Sequence, residues 1–309
     1  MQSFFLENSR LKVQIHHTDE PLPSQRFDPS ARVEQVTLDG RHTFCVPEQI
    51  DTSRRNCYGT GLCGEFVWDE LGTEVSCGEW FPKIGIGLLR QTESAKPYDM
   101  WERYEVIPNK TTVEFDESNA VFHQVQRPCL GISAELWKKI ELHENMLCLS
   151  TTIVNTGERD LILNEYQHNF IAIDGEKTGP AYELTVPFDG TINEVSKAGF
   201  RRINYVPQEF LPDILSNKST SVLWPNYLSN GAEFYKRTDY KDILLQTKYF
   251  WELKNRRSGA AIREFQLFAP TRFDLWGVEH CICPEVYTAI HVKPGEKQSW
   301  WRVWQFIGE

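Results

Sequence analysis

Apolar residues recur at every second position along many short stretches of this chain, and turn-forming residues separate the stretches. Leu11, Val13 and Ile15 alternate with polar residues, and the run that begins at Val33 ends at Asp39-Gly40, a pair that typically closes a β-hairpin. A period of two is that of a strand with one buried face, and no long helical period interrupts it. The pattern therefore predicts an all-β protein, built as an antiparallel sandwich or barrel.

Charge and length limit the class of protein. The chain has 309 residues, with 33 Lys and Arg against 43 Asp and Glu, which gives a formal net charge of −10. This balance argues against nucleic-acid and anionic-membrane partners, because neutralising phosphates requires a dense basic surface. No stretch reaches the roughly 20 apolar residues of a bilayer-spanning helix, and no signal-peptide pattern opens the sequence. We expect one cytoplasmic domain over residues 1–309, since no linker or short repeat divides the chain.

Metal and cofactor motifs are sparse. The eight cysteines are expected to stay reduced, since a chain of this length without an export signal rarely depends on disulfides. Cys281 and Cys283 would point to one face of a strand, but the second ligand pair of a structural zinc site is missing. The sequence contains no Gly-rich phosphate loop, GxSxG elbow or HExxH motif. We therefore predict no metal and no cofactor.

The stretch from 147 to 175 contains the first candidate for chemistry. Alternation up to the turn at Asn155 to Gly157 predicts one strand, and the run from Leu161 to Ile173 is predicted to return antiparallel to it. On the second strand Tyr166, His168 and Phe170 share one face. A histidine in this setting is either a core residue or a proton-transfer group.

The stretch from 272 to 306 contains the second candidate. Its first strand is predicted to place Gly277 and Glu279 on one face, where the glycine leaves room for a ligand. A glutamate inside an apolar strand must be hydrogen-bonded, paired or functional. After a turn at Pro294-Gly295, a closing strand alternates through Trp300, Arg302, Trp304 and Phe306.

In order and spacing these motifs resemble the aldose 1-epimerase, or galactose mutarotase-like, family. The Asn-Thr-Gly turn followed by the HNF of residues 168–170 is similar to that family's histidine-containing strand. The VEHC of residues 278–281 resembles the family's late glutamate strand, and the HVKPGE of residues 291–296 resembles its final hairpin. The KIGIGLLR of residues 83–90 resembles the family's HGxxR segment. The resemblance extends over nearly the whole chain. It implies a large antiparallel β-sandwich of the galactose mutarotase-like type and an isomerase of carbohydrate metabolism that needs no cofactor.

Carried over residue by residue, the resemblance makes His168 the general acid and Glu279 the general base of an enzyme that interconverts α and β anomers. It assigns Arg90 to contact with the sugar. Where the family has a second histidine, this sequence has Ile84, preceded by Lys83, so substrate placement here differs from the family pattern. The further residues expected around the sugar are Lys83, Tyr166 and Trp80, with Trp101 and Trp276 as other stacking surfaces.

Three alternatives remain open from the sequence. A non-catalytic carbohydrate-binding or regulatory sandwich would keep the aromatic residues without needing the acid and base. A hexose-phosphate mutarotase would need converging cations, for which Arg201-Arg202, Arg256-Arg257 or Lys83 are candidates. A lyase or glycosidase would need a second catalytic carboxylate or a tyrosine opposite the scissile bond, with Glu79, Asp99 and Glu285 as candidates. The sequence names neither the sugar nor the oligomeric state.

Overall fold

The computed structural model describes residues 3–18, 25–50, 58–186, 213–217, 219–224, 226–228, 233–239 and 251–308. Within these ranges the regular elements are antiparallel β-strands and one 3-10 turn, Ile173–Gly175. None of the described residues belongs to a helix long and apolar enough to cross a membrane. The all-β prediction is confirmed, and the architecture is a sandwich of two large sheets.

The first sheet has nine strands in the described part of the chain. In sheet order they are β1 (Ser3–Glu7), β2 (Leu11–His16), β3 (Val33–Leu38), β5 (Leu62–Val67), β13 (Leu161–Asn169), β21 (Cys281–Val292), β20 (Pro270–Val278) and β17 (Glu233–Asp239), with β4 (His42–Thr43) paired to β3. As predicted, Asp39-Gly40 turns the chain between β3 and β4, with φ angles of 52° and 63°. Two positive φ angles are what a tight hairpin requires.

The second sheet has ten strands among the described residues. In sheet order they are β15 (Asp213–Asn217), β16 (Ser219–Leu223), β14 (Tyr182–Val186), β18 (Trp251–Asn255), β19 (Ala261–Gln266), β22 (Lys297–Ile307), β12 (Met146–Asn155), β11 (Ala134–His143), β10 (Asn119–Val125) and β9 (Lys110–Phe115). A small third sheet joins β6 (Trp80–Lys83), β7 (Gly87–Arg90) and β8 (Val106–Pro108).

The two large sheets face each other across a core that includes polar contacts. The predicted alternation of β22 is confirmed, because its inward residues Trp300, Arg302, Trp304 and Phe306 are all buried. Arg302 Nη2 donates to Glu165 on β13 at 2.8 Å, and Trp304 Nε1 donates to Asn169 at 2.9 Å. One face of β13 therefore contacts the ten-stranded sheet, and the alternate residues of β13 point away from it.

The predicted pairing of residues 147–153 with residues 161–173 is wrong. The strand β12 pairs with β11 and β22 in the ten-stranded sheet, whereas β13 pairs with β5 and β21 in the nine-stranded sheet. The turn after Asn155 thus carries the chain from one sheet to the other. Alternation indicates that each segment is a strand, but it carries no information about which strand lies beside it.

Candidate active site

A cavity of about 460 Å³ lies on the face of the nine-stranded sheet that points away from the ten-stranded sheet. Its floor is made by residues of four adjacent strands, β13, β21, β20 and β17, and loop residues form the walls. The floor residues on these strands are Tyr166, His168, Arg272, Asp274, Trp276, Glu233, Tyr235, Glu285 and Tyr287, and Phe170 joins them from directly after β13. The described wall residues are Arg26, Glu48, Gln49, Tyr58, Asp99, Met100 and Trp101.

Strand register brings the ionisable groups of the floor together. Asp274 on β20 lies directly opposite Glu285 on β21. Gln167 on β13 lies opposite Val286 on β21. Because these strands are antiparallel, the neighbouring position places His168 beside Glu285. Because side chains alternate between faces, the three residues form a row across three strands on the cavity side.

His168 lies between two carboxylates at the cavity floor, with only 2% of its surface exposed. Its Nε2 is 3.1 Å from Glu65 Oε2, and its Nδ1 is 2.7 Å from Glu285 Oε1. Burial opposes the charged imidazolium, but the carboxylates of Glu285 and Glu65 outweigh it and raise the pKa of His168 above its ordinary value. The raised pKa favours the protonated imidazolium, which is the form that can donate a proton.

Glu65 orients His168 from the side opposite Glu285. It accepts hydrogen bonds from Arg26 Nε at 2.9 Å and from the Tyr166 hydroxyl at 2.7 Å, and Lys83 Nζ lies 3.8 Å away. Burial disfavours its charge, but Arg26 and then His168 and Lys83 hold the pKa of Glu65 far below its usual range. The ionised form of Glu65 is therefore favoured, and its carboxylate fixes the imidazole orientation.

A third carboxyl group, that of Asp274, is buried farther along the floor. It accepts hydrogen bonds from Arg272 Nε at 2.8 Å, from the Tyr287 hydroxyl at 3.3 Å and from the Tyr235 hydroxyl. Burial raises the pKa of Asp274 above its usual value, because the lowering effect of Arg272 is smaller and the nearby Glu285 adds to the increase. Tyr235, Tyr287 and Arg272 thus fix Asp274 as a polar group of the cavity.

The structure brings together only some of the residues predicted for the site. His168, Tyr166, Trp101 and Trp276 line the cavity. Lys83 lies behind the floor, buried, and its Nζ donates to Phe66 O at 2.9 Å.

Arg90 and Trp80 are not among the cavity residues. Arg90 is exposed on β7 and forms a 3.0 Å ion pair with Glu105, and its guanidinium lies 6.0 Å from the Trp80 ring. Both belong to the small third sheet, away from the cavity floor.

Glu279 was predicted to lie on a strand face, and this prediction is wrong. The strand β20 ends at Val278, which pairs with Cys281, so Glu279 and His280 form the turn between β20 and β21. There the Glu279 carboxylate pairs with Lys177, and it is not among the residues that line the cavity. The carboxylates beside His168 are those of Glu285 and Glu65. The sequence offered Glu285 only as a second carboxylate for another reaction, and it did not single out Glu65.

Comparison with known proteins bears on the fold. No protein-family model and no curated protein matches the sequence. The chain is similar to the solved structure of a galactose mutarotase-like protein from Clostridium acetobutylicum, with a TM-score of 0.61 and 12% identity over 99% of this chain and 95% of that one. It is also similar to galactose 1-epimerase from Lactobacillus acidophilus, with a TM-score of 0.58 and 16% identity over 99% of this chain and 94% of that one. A third similar structure is an aldose epimerase homologue from C. elegans, with a TM-score of 0.57 and 12% identity over 99% of each chain. The fold is therefore that of the galactose mutarotase-like proteins, as the sequence motifs implied.

Proposed function

We propose that this protein is an aldose 1-epimerase, which interconverts the α and β anomers of an aldose by opening and reclosing the ring. The observation that carries the proposal is the adjacency of His168 and Glu285 at the floor of the cavity. The cavity volume of about 460 Å³ lies within the usual range of small-molecule sites, roughly 300–1,000 Å³. The likeness of the fold to proteins named mutarotase or epimerase supports the proposal.

In the proposed reaction Glu285 takes the proton of the C1 hydroxyl while His168 protonates the ring oxygen. The bond between C1 and the ring oxygen breaks, and the electron pair of the C1 oxygen forms the aldehyde. Rotation about the C1–C2 bond and reclosure, with the two residues in exchanged roles, give the other anomer. Every proton removed is returned, so the reaction requires no cofactor.

The geometry suits this reaction because the two exchanging oxygens of the substrate are bonded to the same carbon. An acid and a base that serve them must themselves be near neighbours, and His168 Nδ1 and Glu285 Oε1 are 2.7 Å apart. Because Glu65 holds the imidazole at Nε2, the Nδ1 proton stays directed toward Glu285, where the ring oxygen of a bound sugar can accept it without reorganising the site. Trp276, Trp101 and Tyr58 supply aromatic faces for the C–H surface of a sugar.

The pH dependence of catalysis is expected to report on His168. Because the pKa of His168 is raised, kcat/KM should fall on the alkaline side with an apparent pKa above the ordinary value of about 6.5. The fall occurs because the imidazolium that donates the proton is lost as pH rises through that pKa. The check is a pH–rate profile of anomer exchange, in which a fall centred below the ordinary histidine value would contradict this assignment. His291→Asn, on an exposed histidine, should leave the profile unchanged.

Arg90→Ala tests the sugar contact that the resemblance assigned to this residue. Since Arg90 pairs with Glu105 at the surface and does not line the cavity, we expect kcat and KM to stay within about twofold of wild type. The free energy of unfolding should change by no more than about 1 kcal/mol, as is usual for exposed ion pairs. A large rise in KM would restore the role that the resemblance implied.

The charges of the cavity favour free aldoses over sugar phosphates as substrates. Three cationic groups line the described part of the cavity, and each is paired: Arg26 with Glu65 and Glu48, Arg272 with Asp274, and the His168 imidazolium with Glu65 and Glu285. The other cations considered for phosphate do not add to them in the described structure. Arg256 is exposed, Arg257 pairs with Glu176 at the surface, and Lys83 lies behind the floor with its Nζ 3.8 Å from Glu65. Arg201-Arg202 lies outside the described residues.

The test of the proposed function is saturation-transfer NMR of anomer exchange across a panel of free and phosphorylated aldoses. We expect protein-dependent exchange for at least one free aldose and slower exchange for its phosphate. Sugar binding without any acceleration of exchange would instead favour the non-catalytic carbohydrate-binding function. Acceleration confined to phosphates would favour the hexose-phosphate variant.

A further inference from the structure

We propose that His168, Cys283 and Glu285 form a binding site for a thiophilic divalent metal ion such as Zn²⁺, and that the bound ion inhibits anomer exchange. The metal site rests on geometry and does not depend on the proposed function. Its inhibitory effect rests also on the proposed function, because two of the three ligands are the proposed acid and base.

The three side chains converge from two adjacent strands. Cys283 and Glu285 occupy alternate positions of β21 and so share a face, and His168 reaches the same point from β13. One ligand atom from each residue lies within 4.8 Å of the other two, and all three residues are buried. The thiol of Cys283 donates to Glu285 Oε1 at 3.4 Å, and His168 Nδ1 lies 2.7 Å from the same oxygen.

The donor set matches the chemistry of zinc. Zn²⁺ binds thiolate sulfur, imidazole nitrogen and carboxylate oxygen, and sites with three protein ligands leave one coordination position open. Here the open position would face the cavity, because His168 and Glu285 both line it. A soft thiolate among harder donors favours Zn²⁺ or Co²⁺ over Mg²⁺ or Ca²⁺.

The second ring nitrogen of His168 provides independent support. Histidines that bind metals usually donate their other ring N–H to a carboxylate, and His168 Nε2 is 3.1 Å from Glu65 Oε2. This contact leaves Nδ1 to face Cys283 and Glu285. Nδ1 itself lies 2.7 Å from Glu285 Oε1, an ion-pair contact whose angles fall outside those of a hydrogen bond. A bound metal ion would take the place of the proton that this nitrogen holds against Glu285.

Metal binding at this site displaces protons without any redox change. The Cys283 thiol releases its proton to solvent as the sulfur–metal bond forms, and the His168 imidazolium releases its Nδ1 proton. The Glu285 carboxylate contributes an oxygen ligand. With its Nδ1 on the ion, His168 has no proton to donate to a ring oxygen, and Glu285 no longer accepts the C1 hydroxyl proton.

The metal site can be tested with Co²⁺ as a spectroscopic probe on the full-length, chelator-treated protein. We expect Co²⁺ to produce a near-ultraviolet thiolate-to-metal charge-transfer band, which added Zn²⁺ removes by displacement. Cys283→Ser should abolish the band and weaken Zn²⁺ binding by about tenfold or more. The matched control is Cys281→Ser, on the same strand and equally buried, which should keep the band. Circular dichroism of both variants checks that they fold.

Inhibition is measured separately, relative to the metal-free exchange rate of each variant. Zn²⁺ should inhibit wild type and Cys281→Ser, whereas Cys283→Ser should become resistant. The absence of a charge-transfer band in wild type, or its persistence in Cys283→Ser, would overturn the metal site. If wild type shows the charge-transfer band but catalyses no anomer exchange in the presence of chelator, the proposed function is refuted and the metal site is retained.

Discussion

Glu285→Gln is expected to slow protein-dependent anomer exchange by about 10²- to 10⁴-fold, the usual contribution of one general acid or base. The amide keeps the size of the side chain but cannot accept the C1 hydroxyl proton at neutral pH. It also removes the negative charge 2.7 Å from His168 Nδ1, which is a main cause of the raised pKa of that histidine. The loss should therefore fall mainly on kcat, because the proton transfers occur in the transition state.

The matched control is Glu279→Gln, at the residue to which the resemblance gave the role of base. Glu279 lies in the turn after β20 and pairs with Lys177, so we expect its variant to exchange anomers at close to the wild-type rate. Saturation-transfer NMR on both purified variants makes the comparison. If Glu279→Gln is inactive and Glu285→Gln is active, Glu279 is the general base, as the resemblance implied, and the assignment to Glu285 is refuted.

Arg302→Leu is expected to destabilise the fold by about 3–5 kcal/mol, the usual cost of removing one partner of a buried ion pair. The Arg302 guanidinium is 1% exposed and donates to Glu264 at 2.9 Å and to Glu165 at 2.8 Å. It also donates to Val286 O at 2.9 Å, so it joins β22 to β13 and β21, the strands that carry His168 and Glu285. Leucine would leave two buried carboxylates without their cation.

Urea denaturation followed by tryptophan fluorescence measures this effect. The control is Arg159→Leu, which removes an exposed ion pair with Glu74 and should cost no more than about 1 kcal/mol. Equal stability losses in the two variants would show that the buried Arg302 contacts do not hold the sheets together as described.

The features that could be predicted from the sequence are those that depend on local periodicity. The turn at Asp39-Gly40 and the buried face of β22 followed from residue type and alternation, and both are present. Tyr166, His168 and Phe170 were predicted to share a face, and all three line the cavity. A period of two fixes which side chains share a face, whatever strand lies next to them.

The features that the sequence did not predict depend on burial and on distant neighbours. The first eight residues of β21, from Cys281 to Thr288, are all buried, so its sequence does not alternate and Glu285 does not stand out. Glu65 is similarly hidden within β5, where it lies among buried neighbours. The rule that a glutamate in an apolar strand needs a partner or a function, applied to Glu279, would have found Glu65 as well.

The misplacement of Glu279 has a separate cause. Neither Glu279 nor His280 has a positive φ angle, so their turn does not need the Gly or Asn that mark many hairpins in a sequence. The apolar residues on both sides then read as one continuous strand. Only the observed pairing of Val278 with Cys281 reveals that the chain reverses there.

The most direct test of the central claim is a double-mutant cycle on anomer exchange with His168→Asn, Glu285→Gln and the double variant. If the two side chains act as one acid–base unit on a single sugar, each single variant should lose most of the activity, and the double variant should be scarcely slower than the slower single one. Anomer exchange near the wild-type rate in either single variant, or fully additive losses in the double variant, would contradict the account.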